Sequence, residues 1–401
     1  MGDAFEPLRL PRVAIIGAGV SGLLLAQGLQ KNGFDVTVYE RESYPGEKMR
    51  EWTMLLHWAL PIVQNILPPH VFDNLRSAYT DPHYAYEKAK EVIPYYNGQT
   101  GKLAFSVSDA VRRVSRTRLR QVCSKGIDIR WGKQLKTLEL DLTPDGDATL
   151  VFDDGEAVKV DLVIGADGSH SAVRQWLLGA EASKPSDSGK VIGSGIFKYD
   201  TGAQAKIIRM DHPICVIAPT ADGAIFSAVQ NVPDPKDPAN WTFHVAKVWK
   251  DNVDLLVGQE AIAKTKALTG PDVSEPFRSA IEWIPDNANF FISQLRYWVT
   301  VPWDNRRGRV ALVGDAAHCL LPGRGQGLNH AVKDVDQLIS QLVEAKEMRK
   351  TFQEALNAYE ADVFVRGRKA VLESVEDTET ITKAKTMEKS RPANQGFALS
   401  A

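Results

Sequence analysis

Three groups of residues in this chain have the types and spacing needed to hold a nucleotide cofactor. The first is Gly17-Ala-Gly19-Val-Ser-Gly22, set directly after the apolar run Val13–Ile16. Gly17 permits a tight turn, Gly19 lets backbone approach a pyrophosphate, and Gly22 lets the following helix lie close on the strand. Glu40 closes the run Val36–Glu40, about 20 residues after the turn, where an acidic side chain accepts ribose hydroxyls. A carboxylate there repels a 2′-phosphate, so this site suits FAD or NAD and not NADP. The second group is Asp167-Gly-Ser169, after the apolar stretch Asp161–Gly165. The third is Gly314-Asp315, after Val310–Val313, continued by Pro322, Gly325, Gly327, Leu328 and Asn329. An aspartate ending a strand can accept sugar hydroxyls, and a helix that opens on glycine turns its amides and positive dipole end toward negative charge.

Such residues need strands and helices to hold them. Val13–Ile16 reads as a buried parallel strand, Val20–Lys31 as a helix ended by Asn32-Gly33, and Val36–Glu40 as a second strand. Ala148–Val160 alternates and breaks at Asp153-Asp154-Gly155, a hairpin leading into Asp161–Gly165. The Asp167 turn then opens a helix that Arg174 helps to cap, and the aspartate of such a turn can itself be a cap. Further on, Lys190–Tyr199, Ala205–Met210, Ile214–Ala218 and Ala224–Val232 alternate like strands of an antiparallel sheet. Pro233–Pro238 separates them from a stretch, read as helical, that runs to Leu268. Trp52–Leu67 reads as a buried helix with a second one beginning at Pro61; it is too short and too polar to span a membrane. From Asn329 onward the pattern is helical, and the last ten residues read as a frayed tail.

The composition bounds the function. A chain of 401 residues is expected to form two closely packed lobes. A net charge of −2 gives no reason to expect nucleic acid or anionic lipid as a partner. Cys123, Cys215 and Cys319 are odd in number and outside any C-x-x-C spacing. That suits a reducing, cytoplasmic setting and argues against a disulfide framework or a metal site. Asp3, Glu6 and two prolines precede the first strand, so no signal peptide is expected.

Taken in this order, Val13–Gly22, Asp161–Arg174 and Arg309–His318 with its extension to Asn329 resemble the group A flavoprotein monooxygenases, the para-hydroxybenzoate hydroxylase type. The resemblance covers nearly the whole chain and is strongest to natural-product-tailoring members of fungi or bacteria. It implies an α/β fold: a Rossmann-like FAD-binding domain, an inserted and mostly antiparallel β-sheet substrate domain, and a helical C-terminus. The implied division is 1–188, with substrate-lobe segments near 50–110, then 189–303, 304–390 and a tail at 391–401. FAD would be resident. NADPH or NADH would dock transiently, since no second glycine motif is present. O2 would add to the reduced flavin, and the C4a-hydroperoxide would deliver one oxygen to an aromatic or polycyclic substrate. Hydroxylation, epoxidation and Baeyer–Villiger insertion all stay open at this stage, and the protein is expected to be a monomer or homodimer.

The resemblance also assigns residues. Arg116 matches an arginine that reaches back to FAD, while Arg118 and Arg120 read as a solvated helix face. Arg41 and Arg50 are further cofactor-side candidates. The helix opened by Gly325–Asn329 would face the flavin pyrimidine and stabilise negative charge on the reduced ring. His318 is expected to hold a turn. The set of Arg, Ser and Tyr that grips a small aromatic carboxylate in para-hydroxybenzoate hydroxylase has no match here, so a bulkier, more apolar phenol or polycyclic natural product is expected. Val216, Ala218, Phe226, Ala228 and Pro322 would line its pocket, and Tyr199 and Arg209 would orient or deprotonate it. Two other classes share the scaffold: a flavin-bound cyclase or dehydratase without redox chemistry, and a non-catalytic chaperone. The intact glycines, Glu40 and Asp315 weigh against the chaperone.

Overall fold

The run Val13–Ile16 is apolar throughout because its strand, Arg12–Ile16, lies at the centre of a five-stranded sheet. The order is Val310–Leu312, Leu162–Gly165, Arg12–Ile16, Asp35–Glu40 and Ile129–Trp131. Every pairing is parallel, and Ile16, Gly165 and Leu312 stand abreast in register. The three motifs therefore leave adjacent strands at the same C-terminal edge. In open α/β sheets that edge is the crevice where ligands bind. The computed structural model describes residues 10–47, 51–86, 92–108, 111–141, 143, 146–210 and 214–396.

A second sheet has eight strands, in the order Leu255–Val257, Asn289–Tyr297, Ser186–Phe197, Thr242–Lys250, Gly223–Asn231, Val216–Pro219, Val92–Tyr96 and Leu103–Ser108. Only Val216–Pro219 and Val92–Tyr96 pair in parallel. One face packs on the helices Gly202–Arg209, Gly258–Ala267 and Phe277–Glu282. The other carries Ile93, Tyr95, Ile217, Phe226 and Ala228, and meets Leu55 from a separate two-stranded ribbon, Thr53–Leu56 with Arg112–Ser115. The helices Gly327–Lys346 and Phe352–Ile381 complete the C-terminal part. Among the described residues no helix is long and apolar enough to cross a membrane.

Four local expectations are corrected. The segment after Trp52 begins as a strand, because Thr53–Leu56 pairs with Arg112–Ser115; the helix starts only at Leu60. Ala205–Met210 falls in a helix, Gly202–Arg209, nucleated by a capping box between Thr201 and Gln204. The stretch after Pro238 forms the strands Thr242–Lys250 and Leu255–Val257 before its helix, Gly258–Ala267. At the C-terminus, Arg391–Gln395 is a helical turn held by an ion pair of Arg391 with Asp377 at 3.0 Å, so the tail is anchored at least to there.

Candidate cofactor and substrate site

The crevice is built from glycines that their surroundings require. A Cβ on Gly22 would lie 2.1 Å from the carbonyl oxygen of Gly17, so the helix can approach the turn only without one. Gly17 has φ +108° and would meet the Ala166 carbonyl oxygen at 2.6 Å. At three other positions the opposite holds. A Cβ on Gly168 or Gly327 would meet no protein atom within 4 Å, and on Gly19 only the Ala166 carbonyl oxygen at 3.8 Å. Those three glycines, one from each motif, face open space that a ligand can fill.

Helix capping tells the same story. Among the described residues four helical segments run to twelve residues or more, one of them (Ala172–Ser183) kinked at Gly179, and they divide evenly. Ala172–Ser183 and Phe352–Ile381 begin with side-chain caps from Ser171 and Thr351. Val20–Lys31 and Gly327–Lys346 have none. The two uncapped ends are the two that open on the glycine motifs, where leading amides need acceptors from elsewhere.

Asp315 lies in the 3-10 turn Gly314–Ala316 and exposes its side chain. Burial nonetheless raises its carboxyl pKa, against the pull of His318, Arg174 and Arg116. The two facts agree if the carboxyl is open to the crevice but ringed by protein. Arg116 is thus within electrostatic reach of Asp315; its guanidinium stacks on Trp52 at 4.6 Å. Asp167 accepts the amides of Ala172 and Val173 at 2.7 and 3.2 Å through one oxygen, while its other oxygen is buried without a partner. Burial raises its pKa too. It is a helix cap with one acceptor left over.

Glu40 is buried, and its oxygens accept the amides of Ala18 at 2.7 Å and Glu42 at 3.0 Å. It braces the glycine turn at the place expected for ribose. Arg41 is exposed beside it, and Arg50 lies outside the described residues. Asn329 is wholly buried. Its side chain accepts from the His57 amide at 3.0 Å and donates to the Leu55 carbonyl at 2.9 Å. Gln326 accepts from the Trp58 indole at 2.8 Å. These bonds lock the helix start at Gly327 and the half-buried Leu328 onto the 55–59 segment, leaving backbone amides as what that start can offer a ligand. Pro322 is exposed, and Gly325 has φ +62°, where a Cβ would lie 2.7 Å from Leu55 Cδ1.

Several basic residues do more than their sequence context suggested. Arg118 and Arg120 are not solvated. Arg118 donates to Asn231 Oδ1 and the Gln230 carbonyl, both at 2.7 Å, joining its helix to the large sheet. Arg120 donates to the Ala18 carbonyl at 2.8 Å and pairs with Glu42 at 3.2 Å, fastening the glycine turn. Arg174 is fully buried and stacks on Trp298 at 4.5 Å. Its guanidinium donates to the carbonyls of Ser169, Ser183, Asp315 and Ala316, so it ties the second motif to the third. His318 donates or accepts at Nε2 with Asp334 at 2.6 Å, and Asp334 also accepts the Gly314 amide at 2.7 Å and pairs with Arg366 at 2.6 Å. His318 therefore secures the Gly314 turn.

The substrate side needs correction. Val216 pairs with Ser227, Ile217 with Phe226 and Ala218 with Ile225, so Val216 and Ala218 point away from Phe226 and Ala228. The first two lie in the core under the helices, and the second two on the inner face with Leu55. Tyr199 also lies in the helix-side core, its hydroxyl donating to the Ala280 carbonyl at 2.9 Å. Arg209 pairs with Asp81 at 2.6 Å and stacks on Trp241 at 4.7 Å. Neither meets the inner face, whose polar side chains include Tyr95, Ser194 and His244, with Arg113 lying over Phe226.

A model of the FAD binding domain matches residues 110–374, and one of the NAD(P)-binding Rossmann-like domain matches residues 15–88. The chain is 33% identical over 393 residues to the FAD-dependent monooxygenase phnB of Penicillium herquei, covering 96% of this chain and 94% of that one. It is 32% identical over 366 residues to cctM, an FAD-dependent monooxygenase of Talaromyces islandicus, covering 90% and 91%. The chain belongs to the FAD-dependent monooxygenases. This monooxygenase shares its fold with HpxO of Klebsiella pneumoniae, solved with FAD and uric acid (TM-score 0.76, 19% identity, 98% and 97% covered). The 2,6-dihydroxypyridine-3-hydroxylase of Arthrobacter nicotinovorans superposes similarly (TM-score 0.72, 20% identity, 98% of both chains). FAD, when bound, takes a hydride from NAD(P)H and supplies activated oxygen. The residues present fit it: three glycines facing open space, two uncapped helix starts, and Asp315 open to the crevice.

Proposed function

We propose that this monooxygenase inserts one oxygen atom from O2 into an electron-rich aromatic or polycyclic natural product. In this reading Gly17, Gly19, Gly22, Glu40 and Arg41 serve the adenosine and pyrophosphate, and Asp315, Arg116 and Asp167 serve the middle of the cofactor. The amides of Gly327, Leu328 and Asn329 serve the flavin ring. The observation that carries the substrate class is the inner face of the eight-stranded sheet. It is aromatic and aliphatic, and it reaches the glycine loop through Leu55, which packs with Ala228 on one side and against Gly325 on the other. Such a surface binds a flat apolar ring system by area and leaves its position to decide which atom reacts. Three buried thiols, Cys123, Cys215 and Cys319, support a reducing compartment.

The test is oxidation of NADH and NADPH by the purified yellow protein across a panel of phenols and polycyclic ketones. The reading expects selected ligands to stimulate oxidation and to be recovered carrying one added oxygen. Asp315→Ala should lose most of its FAD while staying folded. A wild-type protein that cannot be reconstituted with FAD, or that no member of the panel stimulates, would overturn it.

A further inference from the structure

The loop Pro322–Gly325, which leads into the helix start at Gly327, is backed by the long helix Phe352–Ile381. The Leu321 amide donates to Ser374 Oγ at 3.1 Å, and a Cβ on Gly323 would lie 3.0 Å from Thr378 Oγ1. Arg324 turns its side chain into this contact and is 5% exposed. Its guanidinium faces two carboxylates of the same helix, Glu373 at 3.5 Å and Asp377 at 3.4 Å, and its Nε is buried without a hydrogen-bond partner. These distances exceed those of directed hydrogen bonds, so charge more than geometry holds Arg324. A second cation arrives from the C-terminal segment. After Ile381 the chain leaves the helix, donates the Ala384 amide to the Thr220 carbonyl at 2.8 Å, just past the strand Val216–Pro219, and buries Met387 and Ser390. Arg391 then pairs with Asp377 at 3.0 Å and approaches Glu373 at 3.9 Å, and the Gly396 carbonyl accepts from Arg324 at 3.3 Å. The cluster behind the loop holds two guanidinium groups against two carboxylates. Glu376, a third carboxylate on Arg391, is 67% exposed and largely screened by water.

Buried ion clusters add little to stability, because desolvation offsets the attraction. What they do set is the electrostatic potential on their surroundings, which a low local dielectric transmits. Arg324 stands three residues before Gly327, where the helix start offers its amides to the cofactor ring. That ring gains negative charge when it takes a hydride from NAD(P)H. Without Arg391, Arg324 alone would face Glu373 and Asp377, and the cluster would carry a net negative charge that opposes reduction. We propose that the C-terminal segment completes the cofactor site from behind: Arg391 neutralises the carboxylates under the Pro322–Gly325 loop and so raises the reduction potential of bound FAD. The inference rests on the reading that the Gly327 helix start faces the flavin ring. Arg391 touches no reacting atom; it is a positioning residue that acts through Asp377, Glu373 and Arg324.

The experiment measures the two-electron reduction potential of the FAD-loaded, full-length protein against a reference dye, at a pH of about 8, above the ordinary carboxylate range. Arg391→Met should weaken the binding of reduced relative to oxidised FAD about tenfold, read as a fall of about 30 mV. Arg391→Lys should stay near wild type. Asp377→Asn removes a negative charge and should move the potential upward. The double variant Arg391→Met/Asp377→Asn restores the charge balance but not the ion pair that holds the segment. Its potential should return to within about twofold of wild type on the same affinity ratio, whereas a segment that is only a mechanical brace would leave it as impaired as Arg391→Met. If an Arg391 variant loses its FAD, the rise in Asp377→Asn alone decides. An unchanged potential in Arg391→Met, no rise in Asp377→Asn, or no recovery in the double variant would each overturn the inference. Gly327→Val tells that failure apart from failure of the underlying reading. If it shifts the potential where Arg391→Met does not, only the cluster inference fails; if neither shifts it, the placement of the flavin at that helix start fails as well.

Discussion

Arg174 offers the sharpest test of how the cofactor crevice is held together. The Asp167 turn and the Asp315 turn are separated by well over a hundred residues, and one guanidinium bridges them. It donates to Ser169 on one side and to Asp315 and Ala316 on the other, at 3.2 and 3.1 Å, with Ser183 at 3.1 Å as a fourth acceptor. Arg174→Lys keeps the charge and most of the stem but offers a single ammonium, which cannot span acceptors that a planar fork reaches from both edges. At least two of the four bonds are lost. Hydrogen bonds to charged groups are each worth about 1.5–3 kcal/mol, so the sum is about 3–6 kcal/mol. The lower end is the better expectation, because burial already disfavours the guanidinium and lowers its pKa. The urea midpoint should therefore fall by the equivalent of about 3 kcal/mol. Since the lost bonds fix the turn that presents Asp315, FAD titrated into the apoprotein should bind at least tenfold more weakly, a loss of about 1.4 kcal/mol. An Arg174→Lys protein with the wild-type midpoint and FAD affinity within about twofold would refute the argument that this side chain aligns the two motifs.

Other perturbations separate roles that the structure assigns to different places. Gly327→Val adds a side chain where no protein atom lies within 4 Å; apoprotein stability should barely change, while flavin reduction slows on the order of a hundredfold, the cost of about one charge-stabilising donor, as read by stopped-flow absorbance. Ala228→Phe, on the inner face, should uncouple NAD(P)H oxidation from substrate oxygenation and release hydrogen peroxide, whereas Ala218→Phe, in the core under the helices, should cost about 1–3 kcal/mol of stability. Burial raises Glu360, beside Trp303 and Asn305, to about 7 from an ordinary 4.5. Below pH 4.5 both folded and unfolded chains are protonated there; as pH rises to about 7 only the unfolded chain ionises, so stability should fall by up to about 3 kcal/mol and then level off. Glu360→Gln should flatten that fall in urea titrations, and an unchanged slope would count against the assignment.

What could be read from the residues alone was whatever depends on short-range backbone demands. The glycine turn, its strand and helix, Glu40 at the next strand end and the Asp315 turn all follow from steric needs that are local, and Val20–Lys31 lies where those needs put it. The substrate face did not follow, because period-two alternation names two faces without saying which residues of neighbouring strands share one. Alternation puts Val216 and Phe226 in one pocket, but the register pairs Ile217 with Phe226 and turns Val216 to the helices. Ala205–Met210 alternates acceptably as a strand, yet one capping box at Thr201 decides for helix.

The arginines show the same limit in another form. Arg113, Arg116, Arg118 and Arg120 lie in one basic stretch, and nothing in their spacing distinguishes a ligand-facing side chain from a brace. Placement distinguishes them. Arg118 and Arg120 end on carbonyls or carboxylates of the protein and are accounted for. Arg113 lies over Phe226 and against Cys215, with its Nη1 buried and without a hydrogen-bond partner. Spacing along the chain cannot make that distinction, because the role of each arginine is set by the partners it meets only after the strands and helices have packed.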